Sequence, residues 1–433
     1  MIPFLPPFTN RKSYHLLAYQ LVFVCLGFAC LFAQSSPNIP QIHTLIGQYQ
    51  LLKSNQFSGP VYRLEQSIRL TFPDLTVELA SGHLRFLQGA DPADAGFVFI
   101  GRGAAHFAPR HRVERKQMTR FTDGEELQAE FDYFAVKSVA GFDFRTHLAE
   151  TGALKNFDEA ASRFVGGAEA DLLERLGFNL PARLLTDLVL DPTGFTACIF
   201  RDVAERPVYP PVYYYLYDPV SHEQVQLLQY RPKSLGKPFY TLCRYPLGDY
   251  LTPQSQSRIR IAQYNGWVEI SKNGEITADI GVDILTGSRK LQLLYFQLSK
   301  LLDLQWATTV DGDSLFFIRE KEQTGFSLFL PEQLTPVDTL RINFHYSGKI
   351  LTTENGRSMH LKDPTQWHPR LGYLQRGRYK LIYKYPRDLD LVANGELLRE
   401  WQEGEHKLSY YFQRVPAKAS MFLLGAFKRS HFF

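Results

Sequence analysis

The stretch EITADIGVDI, residues 275–284, decides the fold of the last third of the chain. Polar or small residues alternate there with apolar ones: Ile276, Ala278, Ile280, Val282 and Ile284. Successive side chains of a strand point to opposite faces, so a period of two places all the apolar residues on one face. The stretch therefore predicts a strand that is half-buried on a hydrophobic core.

Two dipeptides near this strand predict tight hairpin turns. Asn273-Gly274 directly precedes the strand and predicts a hairpin with residues 267–271, because both residue types tolerate the positive φ of such turns. Asp311-Gly312 predicts a second hairpin, between residues 306–310 and 314–318. Neighbouring strands in this part of the chain are therefore expected to run antiparallel.

The same period of two continues toward the C-terminus. It recurs in LRINFHY at residues 340–346 and in the YKLIYKY stretch at residues 379–385. Successive alternating strands joined by tight turns are typical of a β-sandwich. We predict that residues 256–433 form an antiparallel β-sandwich or saddle.

The chain before residue 256 divides into two sections by its pattern. Residues 34–155 begin with a short predicted helix at 41–53 and continue in strand-like segments, which predicts a β-rich region. Residues 156–255 show helical spacing up to residue 190 and strand-like runs afterwards, which predicts an α+β region. The fold class expected for the whole chain is mainly β with an α+β middle region.

Composition and charge agree with a folded, sheet-rich protein. Aromatic residues make up 14% of the 433 residues, and aromatic side chains favour the pleated surface of a sheet. The formal net charge is only +4, from 48 Lys and Arg against 44 Asp and Glu, so no strong overall field attracts a polyanion. No nucleic-acid partner is expected.

The first 33 residues have the pattern of an export signal. Arg11 and Lys12 precede an apolar run at residues 16–33, as in a secretory leader. Cleavage after Ala33 is the favoured interpretation, and an uncleaved signal anchor is the alternative, because the run also meets the lower length limit for spanning a bilayer. Both interpretations place the body in the periplasm or elsewhere outside the cytoplasm, and the second adds a membrane association through residues 16–33.

Two cysteines, Cys198 and Cys243, lie beyond this leader. An oxidising compartment would permit a disulfide bond between them. Both residues nevertheless lie in apolar, strand-like segments, where buried free thiols are also common. The sequence leaves the disulfide and the free thiols open as alternatives.

No complete catalytic or metal site is recognisable in the sequence. The run that starts at His222 begins like the zinc-peptidase pattern His-Glu-x-x-His, but Gln226 stands where the second ligand belongs. A second group fits no helix face and is interpreted as loop residues: Glu354, His360, Asp363 and His368. No residue is therefore predicted to be catalytic, cofactor-binding or metal-ligating.

Three other features were candidates for ligand binding. Gly101-Arg102-Gly103 follows a strand and is interpreted as a tight turn, because no long helix follows it as in a phosphate-binding loop. Asp311 and Asp313 lack the later ligands of a calcium loop. A carbohydrate- or polyanion-binding function would use a tyrosine cluster or a basic run: Tyr213, Tyr214, Tyr215, Tyr217, Arg110, Arg112, Arg115, Lys116 and Arg120.

An ordered series of segments between residues 257 and 433 resembles the N-terminal β-saddle domain of the zinc aminopeptidases of the aminopeptidase N class. The series begins with the strand at 277–284, the leucine-rich LQLLYFQLSKLLDLQW at 291–306, the Asp311-Gly312-Asp313 turn, and FSLFLPEQLTPVDTLRINFHYSG at 326–348. It continues with WHPR at 367–370, YKLIYKYPRDLDLVANGELLREW at 379–401 and MFLLGAF at 421–427. Residues 77–131 resemble, more weakly, the leader regions of some bacterial exported members.

The resemblance implies the non-catalytic front portion of an exported zinc metallopeptidase. In that family the exopeptidase motif and the zinc helix belong to the following domain, so zinc and peptide hydrolysis would require a downstream domain missing from this chain. The family's saddle also lends a polar residue that holds the substrate amine, but no residue of the loop at 349–366 aligns with it. The alternative is a non-enzymatic exported binding or scaffold protein built on the same saddle.

Overall fold

A computed structural model describes most of the chain, and the described residues belong to one compact unit, Leu31–Phe433. They are residues 39–88, 96–138, 144–157, 180–189, 194–203, 210–219, 223–230, 239–248, 259–286, 291–320, 323–334, 339–354, 358–372 and 375–427. The predicted export segment at 16–33 and the helical pattern at 158–179 lie outside these residues. Within the described ranges, no helix combines the length and apolar character needed to cross a membrane.

The first part of the chain forms a ten-stranded sheet, in the order β10-β9-β8-β7-β5-β4-β3-β1-β6, with β2 paired to β3. Its strands are β1 Phe57–Leu64, β2 Ile68–Phe72, β3 Leu75–Leu87, β4 Gly96–Phe107, β5 Leu127–Ser138, β6 Leu154–Phe157, β7 Thr196–Asp202, β8 Val212–Tyr217, β9 Val225–Tyr230 and β10 Phe239–Tyr245. The helices described beside it are α1 Ile39–Ser54, α2 Arg112–Met118, α3 Phe144–Glu150 and α4 Leu180–Val189. The sheet takes strands from both sides of the predicted boundary at residue 155.

The last part forms three sheets, ordered β14-β17-β12-β11-β20-β23-β22, β13-β16-β15 and β18-β19-β24-β21. The first strands are β11 Arg260–Ile270, β12 Ile276–Leu285, β13 Leu291–Gln297, β14 Asp303–Thr309, β15 Phe317–Arg319, β16 Gly325–Leu334 and β17 Thr339–Gly348. The remaining strands are β18 Leu351–Glu354, β19 Ser358–Leu361, β20 Gly377–Pro386, β21 Asp390–Ala393, β22 Glu396–Glu403, β23 His406–Ala417 and β24 Phe422–Gly425. The prediction of a mainly β fold is confirmed.

The central strands of the ten-stranded sheet are buried on both faces. Phe97 and Phe134 belong to a core on one face, and Val98 and Ala135 belong to a second core on the other. Strands covered on both faces need apolar residues at nearly every position, which explains their continuous apolar sequence. Even Lys137 of β5 is buried here, and its burial lowers its pKa to about 8.

Helices α1 and α4 join the ten-stranded sheet to the three-stranded sheet. Leu52 of α1, Leu184 of α4 and Ala197 of β7 share one hydrophobic core with Leu293 of β13 and Phe329 of β16. The helix predicted at residues 41–53 is confirmed by α1. The three-stranded sheet therefore has cores on both sides, because its opposite face belongs to the sandwich described next.

The seven-stranded sheet buries one face and leaves the other open. The apolar residues of the 275–284 stretch are all buried in β12, while Thr277 and Asp279 on the opposite face are exposed. On the buried side, the ring of Phe344 in β17 lies 5.0 Å from Phe296 of β13 and 6.1 Å from Phe326 of β16. Two facing sheets with a shared core are the predicted sandwich.

One strand pair differs from the antiparallel prediction. Strands β11 and β20 run parallel, with Tyr264 opposite Tyr379 and Val268 opposite Tyr383. Eight other strands separate them along the chain, so no hairpin imposes the antiparallel direction on this pair. Their rings on the buried face still stack, with 4.7 Å between the Tyr264 and Tyr379 centroids.

The two predicted hairpin turns form, but each differs in detail. Gly274 has φ 82°, whereas outside glycine only Asn55 and Asp74 have positive φ among the described residues, so the expected positive φ at Asn273 is wrong. The Asp311-Gly312 turn closes with Gly312 N–H donating to Thr309 O at 3.2 Å. The ladder predicted beyond that turn shrinks to one bridge, because β15 leaves it to pair with β16.

The turn predicted at Gly101-Arg102-Gly103 is wrong, because these residues lie inside β4. Gly101 is paired with Gly82 of β3. A Cβ on Gly101 would lie 2.2 Å from the Ser81 carbonyl oxygen, and one on Gly82 would lie 2.3 Å from that of Ile100. The glycines are required by the close approach of the two strands at an irregularity in the ladder.

Candidate functional site

The structure does not assemble the histidines of the last third into a metal site. No group of three or more His, Cys, Asp or Glu among the described residues is placed to hold a metal ion. His368 is 1% exposed, and its ring lies 4.6 Å from that of Tyr264, 5.1 Å from Trp367 and 5.3 Å from Tyr379. Burial, helped by the charge of Arg370, lowers the pKa of His368 to about 3. This imidazole is therefore a neutral core residue, and it lies in the loop between β19 and β20, as predicted.

The remaining histidine candidates are scattered. His360 lies on strand β19, so its predicted loop position is wrong, and it pairs with Leu423 of β24. Asp363 accepts a hydrogen bond from the Thr365 hydroxyl at 3.2 Å. Glu223 is buried just before β9, and His222 lies outside the described residues. The described members of this group form no cluster that could hold a metal ion.

The tyrosines proposed for sugar stacking are mostly core residues. Tyr213, Tyr214 and Tyr215 of β8 are all buried, with exposed fractions of 4% or less. The Tyr215 hydroxyl donates to the Pro73 carbonyl oxygen at 2.6 Å. A buried ring offers no face to a sugar, so the tyrosine-based carbohydrate hypothesis is wrong for these three residues.

The basic run lies on and around α2, which the sequence did not predict as a helix. Arg110 forms a bidentate ion pair with Asp74, with the shortest contact at 2.8 Å, and this hydrogen bond raises the pKa of Arg110. Arg115 lies 3.5 Å from Glu125. Arg112 and Arg120 remain exposed. Half-exposed ion pairs therefore neutralise part of this run.

The two cysteines are free, buried thiols. Cys198 on β7 is opposite Tyr215, which is opposite Leu227, which is opposite Cys243 on β10. Three strand spacings separate them, or roughly 14 Å, which is about twice the longest Cα separation of a disulfide. Of the two alternatives that the sequence left open, a disulfide bond and free thiols, the structure shows free thiols. Burial raises the pKa of both thiol groups.

An exposed apolar strip lies on the four-stranded sheet at the C-terminal end of the fold. Its members are Val392, Met421 and Leu423, which are 54%, 48% and 36% exposed. Val392 of β21 is directly opposite Leu423 of β24, so their side chains are cross-strand neighbours. We call these three residues the C-terminal strip.

Local hydrogen bonds hold the C-terminal strip in place. Asn394 and Gly395 form the turn between β21 and β22, with φ 101° at Gly395. The Asn394 side chain accepts from the Met421 N–H at 2.6 Å, and the Asn394 N–H donates to the Met421 carbonyl oxygen at 2.9 Å. The buried neighbours Phe422 and Leu424 point into the sandwich core. The strip is therefore a rigid face of a strand.

The sequence did not identify this strip. Every residue of MFLL at 421–424 is apolar, so no polar residue marks which face of the strand is exposed. The only signal was the strand pattern itself, in which Met421 and Leu423 must point away from Phe422 and Leu424.

A second exposed feature lies on the open face of the seven-stranded sheet. The Trp306 ring, 37% exposed, stacks on His345 with centroids 4.8 Å apart, and His345 Nδ1 lies 2.6 Å from Asp279 Oδ1. Trp267 is opposite Asp279 on the next strand and is partly exposed. Neither indole N–H has a hydrogen-bond partner in the described part of the chain. These groups form a row of aromatic and polar side chains across the sheet.

Comparisons with known proteins give one kind of match. No family model and no curated protein matches the chain. Among solved structures, the M1 zinc metallopeptidase from Deinococcus radiodurans aligns with 39% of this chain and 42% of its own, at 15% identity and a TM-score of 0.35. A mutant of that metallopeptidase aligns over the same shares at 16% identity and a TM-score of 0.35.

A mutant of a two-domain M1 zinc metallopeptidase bound to L-arginine also aligns, over 39% of this chain and 42% of its own, at 16% identity and a TM-score of 0.35. The aligned part thus covers less than half of each metallopeptidase structure. TM-scores this low carry no argument about what the present chain does.

Proposed function

We propose that residues 259–427 are the non-catalytic platform of an exported, aminopeptidase-like zinc metallopeptidase, and that the C-terminal strip is the surface on which its catalytic domain packs. The exposed strip is the observation that carries this proposal. Adjacent apolar side chains held exposed on a rigid strand mark a surface that another protein surface covers. Zinc and peptide binding would belong to that catalytic domain.

The order of elements in the last part of the chain supports the proposal. The segments that resemble the saddle domain occur as strands β12, β13, β14, β16 and β17, and β17 ends at Gly348 as the resemblance requires. The Ala393-Asn394-Gly395 turn follows β21, and MFLLGAF contains the last described strand, β24. A domain that followed in sequence would therefore start beside the strip.

The first test measures peptidase activity and zinc content of the purified chain. We expect no hydrolysis of aminoacyl anilides and no stoichiometric zinc, because the proposal assigns both to another domain. Turnover that a chelator abolishes would overturn it. The coding DNA gives an independent answer: a frame open beyond codon 433 and encoding His-Glu-x-x-His supports the proposal, and a stop codon followed by unrelated sequence favours the non-enzymatic alternative.

A second test addresses the strip itself, with V392D/L423D compared to the control V113D/V310D. Val113 and Val310 lie on other surfaces and are 70% and 64% exposed. Both double variants therefore add two negative charges at exposed apolar positions. In the chain alone we expect V113D/V310D to change stability by about 0.5 kcal/mol or less, and V392D/L423D to cost about 1–2 kcal/mol because its two like charges are cross-strand neighbours. In a protein that also carries the downstream domain, only V392D/L423D should separate one thermal transition into two. Equal behaviour of the two variants there would contradict the assigned surface.

A second candidate function is an exported binding protein without activity. Two tryptophans on the open face favour it: Trp306 and Trp267, which are both partly exposed. No described residue accepts a hydrogen bond from either indole N–H, and exposed aromatic rings on a sheet can stack on a ligand. Affinity electrophoresis through gels containing soluble glycans tests this candidate. Retardation of the wild type but not of W267A/W306A supports it, and equal mobility in every gel opposes it.

A further inference from the structure

A pocket at one end of the seven-stranded sheet is lined by four arginines. It has a volume of about 550 Å³ and lies where β11 and β20 begin and β12 and β23 end. The arginines among its lining residues are Arg260, Arg376, Arg378 and Arg414. The lining residues that the structure describes include no Asp or Glu. The local charge is therefore strongly positive in a protein whose formal net charge is only +4.

Three of these guanidinium groups have no partner within the described part of the chain. Arg260, Arg376 and Arg378 are exposed and form neither a hydrogen bond nor an ion pair with any described residue. Arg414 alone is paired, to Glu396 at 3.2 Å, and both of those side chains are more than half exposed. By contrast, Arg341 on the same sheet is held by Asp283 at 2.6 Å. The pocket thus gathers three positive charges that the described residues leave uncompensated.

Hydrogen bonds hold the floor of the pocket in place. Gln375, which is 6% exposed, accepts from the Ile261 N–H at 3.3 Å and donates to the Ile259 carbonyl oxygen at 2.9 Å. The backbone carbonyl oxygen of Gln375 accepts a hydrogen bond from the Arg370 guanidinium at 3.3 Å. These bonds fasten the start of β20 to the start of β11, from which Arg378 and Arg260 project. A ligand would meet arginines whose backbone is already in place, which lowers the entropy lost on binding.

We propose that this arginine pocket binds a phosphate ester. A guanidinium is planar, always charged and able to donate two parallel hydrogen bonds to one oxyanion, and phosphate offers several oxygens to several such groups at once. The pocket volume lies within the range of small-molecule sites. A positively charged patch of this kind also attracts anionic ligands over a longer distance.

The basic run around α2 does not offer the same site. Arg110 and Arg115 there are engaged by Asp74 and Glu125, and the remaining Arg112 and Arg120 lie on an exposed short helix and its end. The run therefore supplies a matched control, because a double substitution in it removes the same charge from another surface.

The test compares R260Q/R378Q with R112Q/R120Q and the wild type, in two arms. Calorimetry with inorganic tripolyphosphate at low salt detects a soluble ligand, and flotation with vesicles of equal phosphatidylglycerol and phosphatidylcholine detects a lipid headgroup. We expect R260Q/R378Q to weaken binding about tenfold or more and R112Q/R120Q to change it less than about twofold. Affinity should also fall as NaCl is raised.

The two arms identify the source of the phosphate. Binding of tripolyphosphate alone, with the expected variant pattern, assigns a soluble phosphorylated ligand, and pocket-dependent binding of vesicles assigns a lipid headgroup. Absence of binding in both arms would overturn the proposal, as would equal losses in the two double variants. Unchanged thermal midpoints show that each variant is folded. Peptidase activity is not used, so this outcome is independent of the proposed platform function.

Discussion

The two large sheets of this protein handle burial in opposite ways. The ten-stranded sheet has a core on each face of its central strands, including Phe97 on one side and Val98 on the other. The seven-stranded sheet buries Ile280 of β12 and leaves Asp279 of the same strand in solvent. In the central strands of the first sheet, such as β7 and β8, nearly every side chain has a packing role. The second has a free face, and the exposed aromatic row and arginine pocket lie on or beside it.

The largest expected difference concerns aromatic side chains on the two sheets. Phe97 is fully buried, and its ring lies 5.9 Å from Phe134 and 5.5 Å from Phe144. We expect F97A to lower the free energy of unfolding by about 3–5 kcal/mol, because it leaves a cavity. W306A, on the open face, should cost less than about 1 kcal/mol. Urea denaturation measures both, and similar costs would break the comparison.

The next difference concerns two bidentate ion pairs of the same composition. Arg183 of α4 donates to Asp218 at 2.7 Å, and the side chains are only 8% and 13% exposed. R183L would leave a carboxylate uncompensated in a nearly buried site, so we expect a loss of about 3 kcal/mol. Arg341 and Asp283 on the open face are 45% and 14% exposed, and R341L should cost less than about 1 kcal/mol. Thermal unfolding of both variants measures the two losses of stability. A larger loss for R341L than for R183L would contradict the expected difference between the two ion pairs.

A smaller effect is expected from pH and belongs to the sandwich. His368 has a folded-state pKa of about 3, so between about pH 6.5 and 3 the unfolded chain binds a proton that the folded chain does not. Stability attributable to this group is therefore complete above pH 6.5 and decreases as the pH falls. From pH 6.5 to 5 the loss is about 2 kcal/mol.

The control for this pH effect is H368F, which keeps a ring between Tyr264 and Trp367 but cannot bind a proton. Urea denaturation at pH 7 and pH 5 should show a smaller drop for H368F than for the wild type. Identical drops would show that other groups, such as the carboxylates, account for the whole pH dependence.

The smallest expected effect concerns the two thiols of the ten-stranded sheet, which we expect to be unreactive. Burial raises the pKa of Cys198 and Cys243, so neither supplies a thiolate near neutral pH. Iodoacetamide should leave both unmodified in the native protein and modify both in urea without reductant, as peptide mass spectrometry would show. A disulfide-linked peptide pair, or rapid native labelling, would contradict burial of these residues.

Local sequence patterns predicted much of the secondary structure but neither of the candidate sites. The alternation at residues 275–284 is confirmed in β12, and the turn at Asp311-Gly312 forms as expected. The C-terminal strip was not predicted, because in MFLL at 421–424 both faces of the strand are apolar. The arginine pocket was not predicted either, because its members come from β11, β20 and β23 and the segment before β20.

The sequence by itself determined which segments become strands and, where polar and apolar residues alternate, which face is buried, because the direction of a side chain depends only on its position in the strand. Only the tertiary structure decided which distant strands pair. It placed β13 and β14 in different sheets, paired β11 with β20 in parallel, and separated Cys198 from Cys243. Pairing between distant strands depends on closing long loops and burying shared cores, and no local period carries that information.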